Sequence, residues 1–287
     1  MPHPSRDQAA RGAVRPGGIL VLAALPQEVQ PFLRLMRARR LRGLGAPAWE
    51  LAPGPGLVAL TGMGGAAARR TAKTLVDRTR PDILVSLGFA GALQPGMAAG
   101  DLVLGESFWR YDPGTGKLRA GPAPPPPLPL PDLRRALVAA GLGAAAASLV
   151  STTVIIDKAC QGGPLAALPQ PVLDLETAVL AEAAAAHGLA FLSLRAVTDT
   201  AGEEIPDFLR EVGDQAEHLD LRRVLRWLAA DWRRGGDLLH LWRRSRLAAR
   251  RLAQALAVLW PLLSAAGDQP QDQPGQEGEI DKNPHPA

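Results

Sequence analysis

The stretch FLSLRAVTDTAGEEIP, residues 191–206, is an apolar run that stops abruptly at Thr198, Asp199 and Thr200. A carboxylate at the mouth of a buried strand is costly to ionise, because burial disfavours the charged form. Two more acids hold comparable places. Glu28 falls in the first helical turn after the apolar run GGILVLAAL (17–25), and Glu176 opens the alanine-rich stretch LETAVLAEAAAAHG (175–188), with Asp174 just before it. In open α/β sheets, ligands gather at the carboxyl ends of strands. Each acid also has a purely structural reading. Glu28 would oppose a helix dipole, Asp174 would be an N-cap with Glu176 in the turn that follows, and Asp199 would satisfy backbone groups of a turn. Taken singly, each position favours the structural reading.

The elements that must position these acids are legible as alternating buried strands and helices. Continuously apolar runs at 17–25, 56–64, 81–93, 148–156 and 191–198 read as strands buried on both faces. Helices are expected from Pro26, a residue suited to a first helical position, over 66–80, over 132–146 and over 175–188. Gly188 suits the end of the last of these. The proline-rich segment 120–131 reads as a stiff surface loop. This alternation predicts a layered α/β fold.

Composition narrows the function. A chain of 287 residues with 47% hydrophobic content can build one large α/β domain or two small ones. Aromatic content of 4% is too low for a platform that stacks nucleic-acid bases. The single cysteine, Cys160, excludes an internal disulfide and suits a reducing cytoplasm. His3, His187, His218, His240 and His285 are scattered without ligand spacing, so no metal is expected. No secretory signal and no uninterrupted span of about 18 apolar residues is found. Residues 1–16 and 267–287 read as disordered tails.

In chain order, GILVLAALPQEV, LTGMGGAAA, PDILVSLGFAGAL, GDLVLGE, LDLETA and LRAVTDTAG resemble the nucleoside phosphorylase and nucleosidase superfamily over about residues 17–205. The resemblance implies a three-layer αβα fold with a central mixed sheet, a catalytic domain over 17–215, and cleavage of the N-glycosidic bond of a purine nucleoside. It places Asp199 as the acid toward N7 of the departing base, with Thr198 beside it. A carboxyl in a partly buried pocket has its pKa raised and can hold a proton near neutrality. A protonated base then leaves more readily as C1′ gains oxocarbenium character. Glu28 matches the residue that orients the nucleophile. Glu176 matches the glutamate that grips the ribose hydroxyls, with Leu175 beneath the sugar.

The glycine turns holding Gly62 and Gly64, and Gly88, Phe89 and Ala90, would let backbone amides approach water, phosphate or ribose, or would merely allow tight strand–helix packing. Phe89 stands where the nucleosidases commonly have serine. Ile155 and Ile156 stand where an aromatic residue often stacks on the purine. No arginine matches the phosphate clamp of the phosphorylases, and Arg69 and Arg70 are as readily solvated. Hydrolysis and phosphorolysis therefore stay open, with inorganic phosphate a candidate co-substrate and no cofactor implied. Family members commonly form homo-oligomers, and the protein is expected in the cytoplasm.

The segment 219–263 holds ten Arg and three Asp, with Trp227, Trp232, Trp242 and Trp260 among them. It reads as two helical stretches broken at Gly235-Gly236, a helical extension over 216–266 without counterpart in the small nucleosidases. Interleaved arginine and tryptophan suit peripheral contact with a membrane surface, and equally a hairpin packed on its own domain. No nucleic-acid partner is expected. The tail resembles that of hopanoid-associated phosphorylases, which implies a lipid-linked nucleoside, adenosylhopane, as substrate. A small methylthioadenosine-type nucleoside and a non-catalytic nucleoside-binding module are the alternatives.

Overall fold

The computed structural model describes residues 18–52, 55–203 and 234–267. Ten strands and six α-helices alternate along them: β1 Ile19–Ala23, α1 Pro26–Leu35, β2 Arg39–Leu41, β3 Ala48–Leu51, β4 Gly56–Leu60, α2 Gly65–Thr79, β5 Ile83–Ala92, β6 Leu102–Asp112, β7 Lys117–Ala120, α3 Leu130–Ala139, β8 Ala144–Thr152, α4 Lys158–Gln161, β9 Pro171–Asp174, α5 Thr177–Ala186, β10 Ala190–Asp199 and α6 Arg234–Gly267.

All ten strands join one mixed sheet in the order β10-β6-β8-β9-β5-β1-β4-β3-β2, with β7 paired to β6. Strand β10 also pairs with β5, so β5, β10, β6, β8 and β9 close on one another like a small barrel. Strands β4, β1, β5 and β10 run parallel, which brings their carboxyl ends to one edge. Strand β9 runs antiparallel to β5 and meets it at Gly91 and Ala92, beside that edge.

The strands are buried on both faces, so alternate residues feed two cores. Val21, Val85 and Leu192 face one layer with Phe32 of α1, Leu133 of α3 and Leu256 of α6. Leu20, Leu22, Leu84 and Phe191 face the other with Leu75 of α2 and Leu180 of α5. This is the three-layer arrangement that the family resemblance implies, and the alternation of elements predicts its layering.

The C-terminal helix is part of that architecture. Helix α6 runs through Gly235-Gly236 from Arg234 without a break there. It packs on α1, α3, β1, β5 and β10, with Leu252, Leu256, Leu259 and Leu263 fully enclosed. Trp260, expected at an interface, is buried and lies 5.8 Å from Phe32, ring centre to ring centre. Gly56 makes room for it: a Cβ there would sit 2.4 Å from the indole. Trp242 is 53% exposed, and Trp227 and Trp232 lie outside the described residues.

Two boundaries differ from the sequence reading. The helix expected over 132–146 ends at Ala139, and Ala144–Ala147 instead begin β8 alongside β6. Alanine favours helix, but Gly141 in the left-handed region (φ 73°) turns the chain, and sheet pairing overrides propensity. The short strands β2, β3, β7 and β9 had no periodicity long enough to read.

Candidate active site

At the shared edge of β1, β5, β9 and β10 lies a cavity of about 200 Å³. Ten of the residues singled out from the sequence line it: Glu28, Phe89, Ala90, Ile155, Ile156, Asp174, Leu175, Glu176, Thr198 and Asp199. Gly88, Gly62 and Gly64 do not line it. Gly88 serves from behind, since a Cβ there would come within 2.8 Å of Glu28 Oε1.

Glu28 is buried one turn into α1, where it does more than oppose a dipole. Its carboxylate accepts the N–H of Leu25 at 2.8 Å, half of a capping box, and the N–H of Phe89 at 3.0 Å. The same side chain thus caps α1 and ties it to the end of β5. Burial pushes its pKa up, against the lowering effect of those two amides and of Arg195. Phe89 replaces the expected serine, yet its backbone donor is still used, by Glu28.

Glu176 sits at the N-terminal end of α5 and accepts the N–H of Gly64 at 2.7 Å. That amide, expected to meet water, phosphate or ribose, is spent on a protein carboxylate. Gly64 adopts φ 87°, which a side chain would strain. Burial, and then the neighbouring carboxylates of Asp174 and Glu28, push Glu176 up to about 8, while the Gly64 amide and Arg195 act the other way.

Asp174 was expected as the N-cap of α5, but that position falls to Glu176, and Asp174 ends β9 two residues earlier. It still accepts the N–H of Thr177 at 3.2 Å, the first amide of α5, and the hydroxyl of Ser151 at 2.5 Å. The sequence reading passed over its main partner. Arg195 lies in the middle of an apparently apolar strand and is 2% exposed. Its Nε donates to Asp174 at 3.0 Å, and its other nitrogens reach Ser86 at 2.7 Å and Thr177 at 2.6 Å. A buried charge needs this degree of pairing. Arg195 is the cation beneath the three acids Asp174, Glu28 and Glu176.

Asp199 is buried at the end of β10, where Thr198 Oγ donates to its Oδ1 at 2.8 Å. It is not the lone desolvated acid that the sequence suggested. Its Oδ2 forms an ion pair with Lys158, whose side chain is 5% exposed. No local pattern in IIDKAC (155–160) announces this lysine; only the packing of α4 against the end of β10 does. Arg69 pairs with Glu182 at 3.0 Å and lines a neighbouring basic cavity instead. Among the described residues, no three of His, Cys, Asp and Glu gather in a way that could hold a metal.

Residues 19–226 match the phosphorylase superfamily. The chain belongs to that superfamily. It is an enzyme of this group by membership. No curated protein sequence matches it. Among solved structures, it is similar to Helicobacter pylori 5′-methylthioadenosine/S-adenosylhomocysteine nucleosidase in complex with a pyrrolidine inhibitor, with 14% identity and a TM-score of 0.63 over 87% of this chain and 99% of that one. A putative nucleosidase of the same kind from Francisella philomiragia is 17% identical, with a TM-score of 0.63 over 85% and 98%. Futalosine hydrolase of H. pylori is 14% identical, with a TM-score of 0.61 over 85% and 98%.

At these identities the likeness speaks for the fold. It also corrects one expectation. Even the whole of residues 1–226 would fall short of 87% of this chain, so the aligned part reaches the C-terminal region. That region therefore has a counterpart in a small nucleosidase.

Proposed function

We propose that this protein cleaves the N-glycosidic bond of an adenine nucleoside of the methylthioadenosine or S-adenosylhomocysteine type. The observation that carries the reading is the meeting of Glu28, Glu176 and Asp199 around one small cavity, from three separate elements. Asp199 serves the base, Glu176 the ribose hydroxyls and Glu28 the attacking water or phosphate. Hydrogen bonds between the Glu176 carboxyl and vicinal hydroxyls would fix the sugar ring. Apolar Ile155, Ile156 and Leu175 offer flat contact to base and sugar. The nucleosidases among the structural neighbours support the same class of substrate.

A second reading, a lipid-linked nucleoside such as adenosylhopane, has one observation in its favour. A cavity of about 720 Å³ adjoins the site, sharing Ala24, Leu25 and Met63 with it and lined further by Leu44, Pro47, Leu60 and Leu75. It offers an apolar path for a long 5′ substituent. Peripheral membrane contact would then fall to the outward face of α6, where Arg246 stacks 4.5 Å over the exposed ring of Trp242. No helix among the described residues is long and apolar enough to cross a membrane.

Adenine release, followed by chromatography from methylthioadenosine and from adenosylhopane, each with and without phosphate, tests both readings. Release from the small nucleoside supports the first, and release from the lipid alone moves the assignment to the second. Dependence on phosphate identifies phosphorolysis. Ligand binding without release, unchanged in Asp199→Asn, identifies a binding module and sinks both.

A further inference from the structure

Lys158 is the one basic side chain among the described residues that line the candidate site. Arg195, the other nearby cation, lies behind the cavity and is engaged by Asp174. Lys158 is buried, its ammonium pairs with Asp199 Oδ2, and it donates to the backbone carbonyls of Asp199 at 3.4 Å and Thr200 at 2.8 Å. It therefore staples the end of β10 as well as balancing the charge of Asp199. The space is made by Gly91, where a Cβ would fall 2.4 Å from Asp199 Oδ2 and 3.2 Å from Lys158 Cε. Thr198 occupies the other carboxylate oxygen.

An ionised aspartate has no proton to give, whereas an ammonium has. The groups facing the pair are acids from other elements: Glu28 of α1, Asp174 at the end of β9 and Glu176 at the N-cap of α5, with Arg195 of β10 paired to Asp174. We propose that Lys158 and Asp199 work as one acid unit, with Lys158 a positioning residue that supplies the proton Asp199 delivers to the departing base. The inference rests on the reading that this cavity cleaves a purine N-glycosidic bond.

The bond between C1′ and the base breaks, and its electron pair goes to the base. The Lys158 ammonium passes a proton to the Asp199 carboxylate and becomes a neutral amine, and the carboxyl so formed delivers that proton to a ring nitrogen of the base, which leaves Asp199 ionised again. The oxygen of water bonds to C1′, and the proton released from that water goes to Glu28. Exchange with solvent returns it to the amine before the next turnover.

The test compares the wild type with Lys158→Met, Lys158→Arg and Asp199→Asn on two substrates. Methylthioadenosine needs its leaving base protonated; 4-nitrophenyl riboside does not, since its leaving group departs as a stable phenolate. Thermal melting confirms that each variant is folded. For Lys158→Met, kcat on methylthioadenosine falls about 100-fold, in the range of general acid catalysis. For Lys158→Met, KM and the rate on the nitrophenyl riboside stay within about threefold of the wild type, while Asp199→Asn loses turnover of methylthioadenosine. Lys158→Arg keeps the charge but cannot give up its proton, so it stays slow on methylthioadenosine only.

Equal loss on both substrates in Lys158→Met would make the lysine a structural staple and overturn the proposal. So would full activity of that variant, or recovery of purine turnover in Lys158→Arg. A folded wild type that acts on neither substrate fails differently, because it removes the cleavage reading on which the proposal stands.

Discussion

Replacing Glu176 with Gln should make the protein less sensitive to alkali, and the size of the effect follows from the site. In the folded protein, burial and the carboxylates of Asp174 and Glu28 push the Glu176 pKa from 4.5 up to about 8. The folded state therefore holds this proton more tightly than the unfolded chain does. Stability from this group is fully present below about pH 4.5 and is lost as pH rises toward 8. Each unit of pKa difference corresponds to about 1.4 kcal/mol. Between pH 5.5 and 8.5 the linkage amounts to about 3 kcal/mol, reduced to roughly 2 by the water that reaches this partly accessible side chain. Glutamine keeps an oxygen for the Gly64 amide and removes the titration. Urea unfolding at pH 5.5, 7.0 and 8.5 should show the wild type losing about 2 kcal/mol more than Glu176→Gln over that range. Parallel losses would refute the idea that Glu176 is held protonated by its surroundings. The variant should also bind the ribose less well, visible as a raised KM.

Other outcomes follow from the same geometry. Asp199→Asn should cut purine release by about 100-fold or more and lower the melting temperature, because it leaves the buried Lys158 ammonium without its carboxylate, as measured by base chromatography and calorimetry. Gly91→Ala should cripple turnover in a folded protein, because its methyl would enter the space held by the Lys158–Asp199 pair; wild-type turnover there would show that the pair can shift freely. Trp260→Ala should cost about 3–5 kcal/mol in chemical unfolding, since it empties a core site beside Phe32 and Gly56. Deleting 219–263 should yield insoluble protein rather than a soluble domain, because it uncovers the apolar face of the sheet and of α1 that α6 buries. Membrane contact is better tested by liposome co-sedimentation of Trp242→Ala, which should weaken binding if the outward face of α6 makes it.

The parts of the site that could be read in advance are those encoded locally. Glu28, Glu176 and Asp199 each follow an apolar run that can only be a buried strand, or open an alanine-rich helix, so their places at strand ends were predictable from adjacent residues. The glycine turns were legible for the same reason, although the amide of Gly64 serves Glu176 and not a ligand. Arg195 and Lys158 were not legible. One is hidden in a strand whose apolar neighbours dominate its pattern. The other lies on a helix of four residues and meets Asp199 only because α4 folds against the end of β10.

The C-terminal segment divides the two kinds of information most clearly. By itself, the sequence determined that the segment 219–263 favours helix, with a break read at Gly235-Gly236 that the structure does not have, and combines arginine with apolar side chains, since these properties are local. It also determined which acids would terminate which strands. It left open what would cover the apolar face of that helix, and a membrane surface and a sheet offer the same kind of apolar burial. The tertiary structure decided for the sheet, by placing Leu256, Leu259 and Trp260 against α1 and β1. It likewise decided that the buried charge of Asp199 would be balanced by Lys158. Pairing between side chains 41 residues apart depends on how the chain closes in space, and no periodicity along the sequence records it.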